Sequence, residues 1–349
     1  MKRRNFIFKN ILPGVFMPSA YTLGLSNQKT DNAESSIPAS ALSNQKTVNH
    51  PGSIDNDEVI IERLAEGQPH KGKALAVIQP HCDDIPYFAA GTVANLIYEG
   101  YTGYLIRTTN DDSAGAGDSM GAKVLSNEKD NEAVAKVLGL KNVYSLNYSN
   151  HKMNEYHLQD ITGRFIFLFR LLKIDTLICY DPWGHYEENP DHYVTAKAVE
   201  AARWMAGSVN DYPEQLEVIK PYAVKERYYF ARGPQLVNRV VDISKFIDKK
   251  VESNVVCKTQ GAGDGGAQLK KKLAGKGQKL SILGNDDYTA NFNYIKEFVL
   301  DKDSEYLRGV PSDKKIGEKY GLTWAEQFHY IGPVVSSLDG YIQKNSVSR

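Results

Sequence analysis

One pattern recurs between residues 74 and 205: a short apolar run reads as a buried strand, breaks into a polar loop, and opens a helix. Its first copy is Ala74-Leu75-Ala76-Val77-Ile78, then Gln79-Pro80-His81-Cys82-Asp83-Asp84, then a helical stretch over 85–98 with Pro86 in its first turn. Residues 103–109 read as a second strand ending in the glycine-bearing loop 110–117, and 127–138 as a helix closed by Gly139. Residues 143–148 and 176–180 give two further strands, with an apolar helix over 158–172 between them. The polar loop 181–192 follows, and a helix starts near Tyr193. Strands and helices in alternation predict an α/β fold, a Rossmann-like and mostly parallel sheet with helices on both faces. Such sheets place their ligands beyond the carboxyl ends of the strands.

The loops at those ends carry the chemistry. One His and two Asp side chains follow the first strand, and buried charges need partners. A divalent metal is the simplest one, which makes His81 and Asp84 ligands and leaves Asp83 free for proton transfer. Helix capping by these Asp residues is the competing reading. His192 sits at a second helix start and completes a set of two His and one carboxylate. That set leaves a fourth position open for water, as catalytic zinc sites do. Asp191 is expected either to orient His192 or to cap the helix. His185 is ambiguous between the site and a loop over the sheet edge, and Glu187 and Glu188 read equally as a solvated loop face.

Composition excludes several classes. Lys+Arg and Asp+Glu are both 42, so no basic field draws the chain to nucleic acid. The pair Gly115/Gly117 lacks the third glycine of a dinucleotide fingerprint. Three cysteines, at 82, 179 and 257, make neither a disulfide framework nor a CxxC zinc site, and Cys82 and Cys179 read as packing. The first nine residues, with Arg3-Arg4 and Lys9, match a twin-arginine export signal over 1–25, which predicts an exported, periplasmic protein. Its apolar part, broken by Pro13 and Pro18, is too short for a stable membrane span. Residues 26–58, with Leu-Ser-Asn-Gln-Lys-Thr at 25–30 and again at 42–47, read as a polar, disordered linker.

Pro80-His81-Cys82-Asp83-Asp84 with Asn189-Pro190-Asp191-His192 resembles the PIG-L/LmbE-like family of metal-dependent N-acetylglucosaminyl deacetylases. Val241-Asp242-Ile243-Ser244 before Lys249-Lys250, and Trp324-Ala325-Glu326-Gln327-Phe328, are weaker echoes, so the likeness runs over about 72–330 within a single domain at 59–349. The resemblance implies a zinc enzyme (another divalent ion being the alternative) acting on an N-acetylated sugar or glycoconjugate. It places the metal on His81, Asp84 and His192 and the general base on Asp83. Cys82 stands where the family has Pro. Asn189 stands where it has a His that stabilises the oxyanion, and Asn donates a hydrogen bond but no charge. Either His185 takes that role, or the reaction is slower, or the substrate differs. Beyond residue 222, strands are expected at 227–231 and 239–243 and a helix over 245–257. The stretch 261–272 reads as a flexible basic surface loop, and Glu326 is a residue that the resemblance would bring to the site.

Overall fold

The computed structural model describes residues 59–333 and 337–347, and the expected export signal and linker lie outside them. The chain runs through β1 (Ile60–Glu62), β2 (Ala74–Gln79), α1 (Asp84–Phe88), α2 (Ala90–Tyr98), β3 (Thr102–Thr109), α3 (Met120–Leu138) and β4 (Asn142–Tyr148). It continues with α4 (Leu158–Leu172), β5 (Ile174–Tyr180), α5 (Pro190–Met205), β6 (Glu226–Phe230) and β7 (Arg239–Asp242). The helices α6 (Ile247–Val256), α7 (Gly265–Ala274) and α8 (Asp287–Tyr294) come next, and β8 (Ala325–Ile331) completes the sheet.

Among the described residues, eight strands form one sheet in the order β1-β7-β8-β6-β5-β2-β3-β4. Only β8 runs against its neighbours, β6 and β7. Every residue of β2 and β5 is buried, as expected of central parallel strands covered on both faces. Helices α1, α2, α3 and α6 pack together, and α4 packs on α5. The right-handed rule for parallel crossovers assigns these two groups to opposite faces, because the chain moves outward from β2 to β4 and then returns to β5.

That return sets the site. Strands β2 and β5 pair side by side in parallel, yet the connection after β2 leads to β3 on one flank and that after β5 leads to β6 on the other. The two loops diverge and leave a crevice at the carboxyl edge, the topological switch point of such sheets.

Four local expectations need correction. The helix expected over 85–98 is two helices, broken where Ala89 adopts φ −143° and ψ 4°. The helix expected near Tyr193 begins earlier, at Pro190, with the Asn189 side chain accepting from the Asp191 N–H as its cap. Residues 265–274 are helical rather than a surface loop, since α7 packs tightly on α8: a Cβ on Gly266 would lie 2.0 Å from the Ala290 carbonyl oxygen. Lys270 there pairs with Asp287 at 2.6 Å. Glu326, finally, stays in the fold. Its carboxylate accepts from the N–H groups of Gly91 and Thr92 at the start of α2, at 3.0 and 2.8 Å, and from buried Lys250 at 2.6 Å. Lys250 also meets Asp313 at 2.8 Å.

Candidate metal centre at the carboxyl edge of the sheet

His81 and Asp84 come from the loop and first helical residue after β2, and His192 from the first turn of α5, after β5. The two strands are neighbours, so residues 111 apart in sequence meet. His81 Nδ1 lies 3.1 Å from His192 Nε2. Asp84 lies 3.5 Å from each of those atoms, one carboxylate oxygen on either ring. All three side chains are buried, and their donor atoms fall within 4.8 Å of one another.

The surroundings hold this arrangement in place. Asp84 accepts from the Tyr180 hydroxyl at 2.7 Å and from the His81 backbone N–H at 2.8 Å. Tyr180 also stacks on the His192 ring, with centroids 4.1 Å apart and planes 14° from parallel. The far nitrogen of His81, Nε2, contacts Asp191 at 2.9 Å. Asp191 also accepts from the backbone N–H groups of His151 and Met153 and from the Asn150 amide. The far nitrogen of His192, Nδ1, lies 3.0 Å from Glu187, too slanted for an ideal hydrogen bond. Arg232 backs Glu187 at 3.7 Å.

The expected partner of Asp191 thus changes: it orients His81, not His192, while Glu187 backs His192. The reason is local. Asp191 follows the first residue of α5, where its side chain turns toward the Asn150–Met153 loop, whereas Glu187 lies in the loop that leads to the helix. Asn189 caps α5 and holds its amide nitrogen 3.4 Å from His192 Nε2. His185 is exposed, its ring 6.1 Å from that of Tyr186, and is not among the groups gathered on Asp84. His151 is a residue that the sequence reading missed. It follows β4, has φ 61°, and its ring lies 6.0 Å from that of His81. It forms a second close set with His81 and Asp191. Asp111 after β3 and Tyr186 after β5 also hold left-handed φ values, 56° and 62°, a backbone state that clusters at functional sites.

Charge follows the same plan. Burial opposes ionisation of Asp84, but His192 and His81 hold its carboxyl down at about 2. Burial also opposes a charge on His81, yet Asp191 and Asp84 push its imidazolium well above the ordinary range. Asp83, half-buried beside Asp84, is pushed up to about 7 by burial and by that neighbouring charge. Asp111 rises to about 6, chiefly from burial.

The donor set fits a divalent cation. With a proton on His81 Nε2 toward Asp191 and one on His192 Nδ1 toward Glu187, the facing nitrogens each present a lone pair across 3.1 Å. Two such lone pairs repel unless a cation lies against both. A carboxylate behind each imidazole is the usual support of a metal-bound His.

An α/β sheet with His and Asp donors at its switch point defines the class: a Rossmann-like protein with a candidate metal site. Residues 76–203 match the family described as PIG-L: GlcNAc-PI de-N-acetylase. Diacetylchitobiose deacetylase of Thermococcus kodakarensis is 24% identical over 186 residues, covering 52% of this chain and 67% of that protein. The solved N,N'-diacetylchitobiose deacetylase from Pyrococcus horikoshii superimposes with a TM-score of 0.56 at 21% identity, over 74% of this chain and 84% of that one. GalB, the 4-carboxy-2-hydroxymuconate hydratase from Pseudomonas putida KT2440, does so with a TM-score of 0.52 at 16% identity, over 76% and 98%. Both share the fold, and their reactions differ, so the reaction has to be argued from the site.

Proposed function

We propose that this chain is a zinc-dependent deacetylase that hydrolyses the amide of an N-acetylated sugar or glycoconjugate. The observation that carries the proposal is the pair of imidazole nitrogens facing each other beside Asp84, with the ionisable Asp83 one residue away. The family match and the diacetylchitobiose deacetylase relative support an N-acetyl sugar as the substrate.

His81, Asp84 and His192 would hold the cation. Zinc bound by such a set acidifies water to a pKa of about 7 and polarises a carbonyl. Asp83 titrates in the right range to take a proton from water and return it to the departing nitrogen. Water adds to the amide carbon, the C–N bond breaks, and the products are acetate and a free amine. Asn189, whose amide nitrogen lies 3.4 Å from His192 Nε2, and His151, whose ring lies 6.0 Å from that of His81, stand beside the site as the proposed donors to a developing oxyanion. His151 replaces His185 in that role. Export through the Arg3-Arg4 signal remains part of the proposal, since a carbohydrate hydrolase outside the cytoplasm meets polymeric substrates there.

The test is amine release by the full-length protein, supplied with zinc, from N-acetylglucosamine, its disaccharide and a panel of non-sugar N-acetyl amines. Preferential release from the sugars is expected. Faster release from the non-sugar amines would leave the chemistry and overturn the substrate class. Sugar binding with no release would make the chain a glycan-binding protein instead.

A further inference from the structure

Cys82 stands between the candidate ligand His81 and the candidate base Asp83, and its thiol is fully buried. Its sulfur lies 3.1 Å from that of Cys257, at the carboxyl end of α6. Both are free thiols, 175 residues apart in sequence. The remaining cysteine, Cys179, is buried within β5. Two sulfurs in van der Waals contact are separated by about 3.6 Å, and a disulfide bond is about 2.05 Å. The pair is thus already inside contact distance, and about 1 Å of side-chain movement would close the bond.

The surroundings keep the thiols together. Asn254 of α6 donates to the Pro86 carbonyl of α1 at 2.8 Å, tying the helix to the loop's own helix. The Gly263 N–H donates to the Cys257 carbonyl at 3.0 Å, folding the following turn over it. Gly261 is there because a Cβ at that position would lie 2.6 Å from the same carbonyl oxygen and 2.8 Å from the Cys257 sulfur. Gln260 in that turn donates to the Cys82 sulfur at 3.4 Å, and the Cys82 thiol donates to the side-chain amide oxygen of Asn127 at 3.3 Å.

A soft metal ion is the rival occupant, because Asp130 lies within 4.8 Å of both sulfurs. The geometry disfavours it. Two thiolates on one tetrahedral zinc stand about 3.8 Å apart, given Zn–S bonds of about 2.3 Å. Asp130 is moreover engaged, accepting from the Lys258 and Thr259 N–H groups at 2.8 and 2.6 Å through one oxygen.

We infer that Cys82 and Cys257 form a disulfide that fastens the His81–Asp84 loop to α6. With a small disulfide such as oxidised glutathione as oxidant, one cysteine sulfur attacks it and expels a first thiol. The second cysteine then attacks the mixed disulfide and expels another. The two cysteines lose two electrons and two protons, and both protons leave on the two released thiols. The bond would anchor the backbone that presents His81, so the linked protein should release a metal to chelator several-fold more slowly than the reduced one. This last effect rests on the proposed metal site, whereas the bond itself does not.

The experiment equilibrates the full-length protein in a buffer of reduced and oxidised glutathione, both in its folded state and during refolding from urea. It is then quenched in acid, alkylated in denaturant, digested and mapped by mass spectrometry. Joined Cys82 and Cys257 peptides with alkylated Cys179 are expected, and the same link in Cys179→Ser. Alkylation of all three cysteines in both arms would overturn the inference, as would any link made through Cys179. A zinc ion that His192→Ala retains and Cys257→Ser loses would also overturn it, in favour of a metal held by the two sulfurs. Chelator release is then compared between linked and reduced protein and with Cys257→Ser. A mapped link with no change in release would leave the bond standing and remove its effect on the metal site.

Discussion

His81 Nδ1 and His192 Nε2 face each other across 3.1 Å, and each ring has a carboxylate at its other nitrogen, Asp191 for the first and Glu187 for the second. A metal-free protein has to place a proton between those two lone pairs. Asp191 and Asp84, against the opposing effect of burial, raise the basicity of His81 and so favour that proton. Proton and metal then compete for one position, so metal affinity should fall as the solution is acidified.

Metal content tests this directly. The full-length protein should hold one divalent ion at this site, and Asp84→Ala and His192→Ala should lose it while keeping their helical circular dichroism. Glu187→Gln should weaken metal binding by about 10- to 100-fold, the usual effect of losing the group behind a metal-bound His. A wild-type protein that binds no more zinc, manganese or iron than His192→Ala would dispose of the metal centre.

Asp83 should be needed for turnover and not for metal binding. Asp83→Asn is expected to keep its ion and lose about 10²- to 10⁴-fold in kcat, the usual contribution of a general acid–base group. Wild-type amine release by that variant would take Asp83 out of the reaction.

The same residue should leave a mark on stability. In the folded, metal-free protein its carboxyl titrates near 7, against 3.8 for an ordinary Asp. The folded state therefore holds a proton that the unfolded chain has released, and stability falls as pH rises from about 4 through about 7. Asp83→Asn lacks that titration. Its metal-free thermal midpoint should exceed that of wild type above pH 7, and the gap should close below pH 4. A gap of constant size across this range would contradict the buried proton.

Lys250 makes a prediction about the fold alone. Its ammonium is buried between Glu326 and Asp313, and Arg308 reaches Asp313 at 3.2 Å. Lys250→Met leaves two buried carboxylates with one cation fewer, and it should destabilise the protein by about 3–5 kcal/mol. Urea unfolding measures this. KM should not change, because Glu326 caps α2 and is not part of the metal cluster.

What the sequence determined by itself is what short-range pattern encodes. The runs at 74–78 and 176–180 are apolar on both faces and had to be central strands, as β2 and β5 are. His81 and Asp84, three residues apart at a helix start, were bound to meet whatever the fold. The motif around residues 189–192 was legible as a helix entrance, although its start was expected near Tyr193 and lies at Pro190.

Tertiary structure decided which distant groups share a point. Only the order of strands, with β5 beside β2, brings His192 to His81. Only the packing of loops put Asp191 behind His81, Glu187 behind His192, and Cys257 against Cys82. Helix α7 escaped the pattern for a related reason, since its glycines, unfavourable for an isolated helix, are used for close contact with α8. Helical and strand periodicity report on neighbours a few residues away. Strand order follows from the burial of whole faces, to which segments a hundred residues apart contribute together.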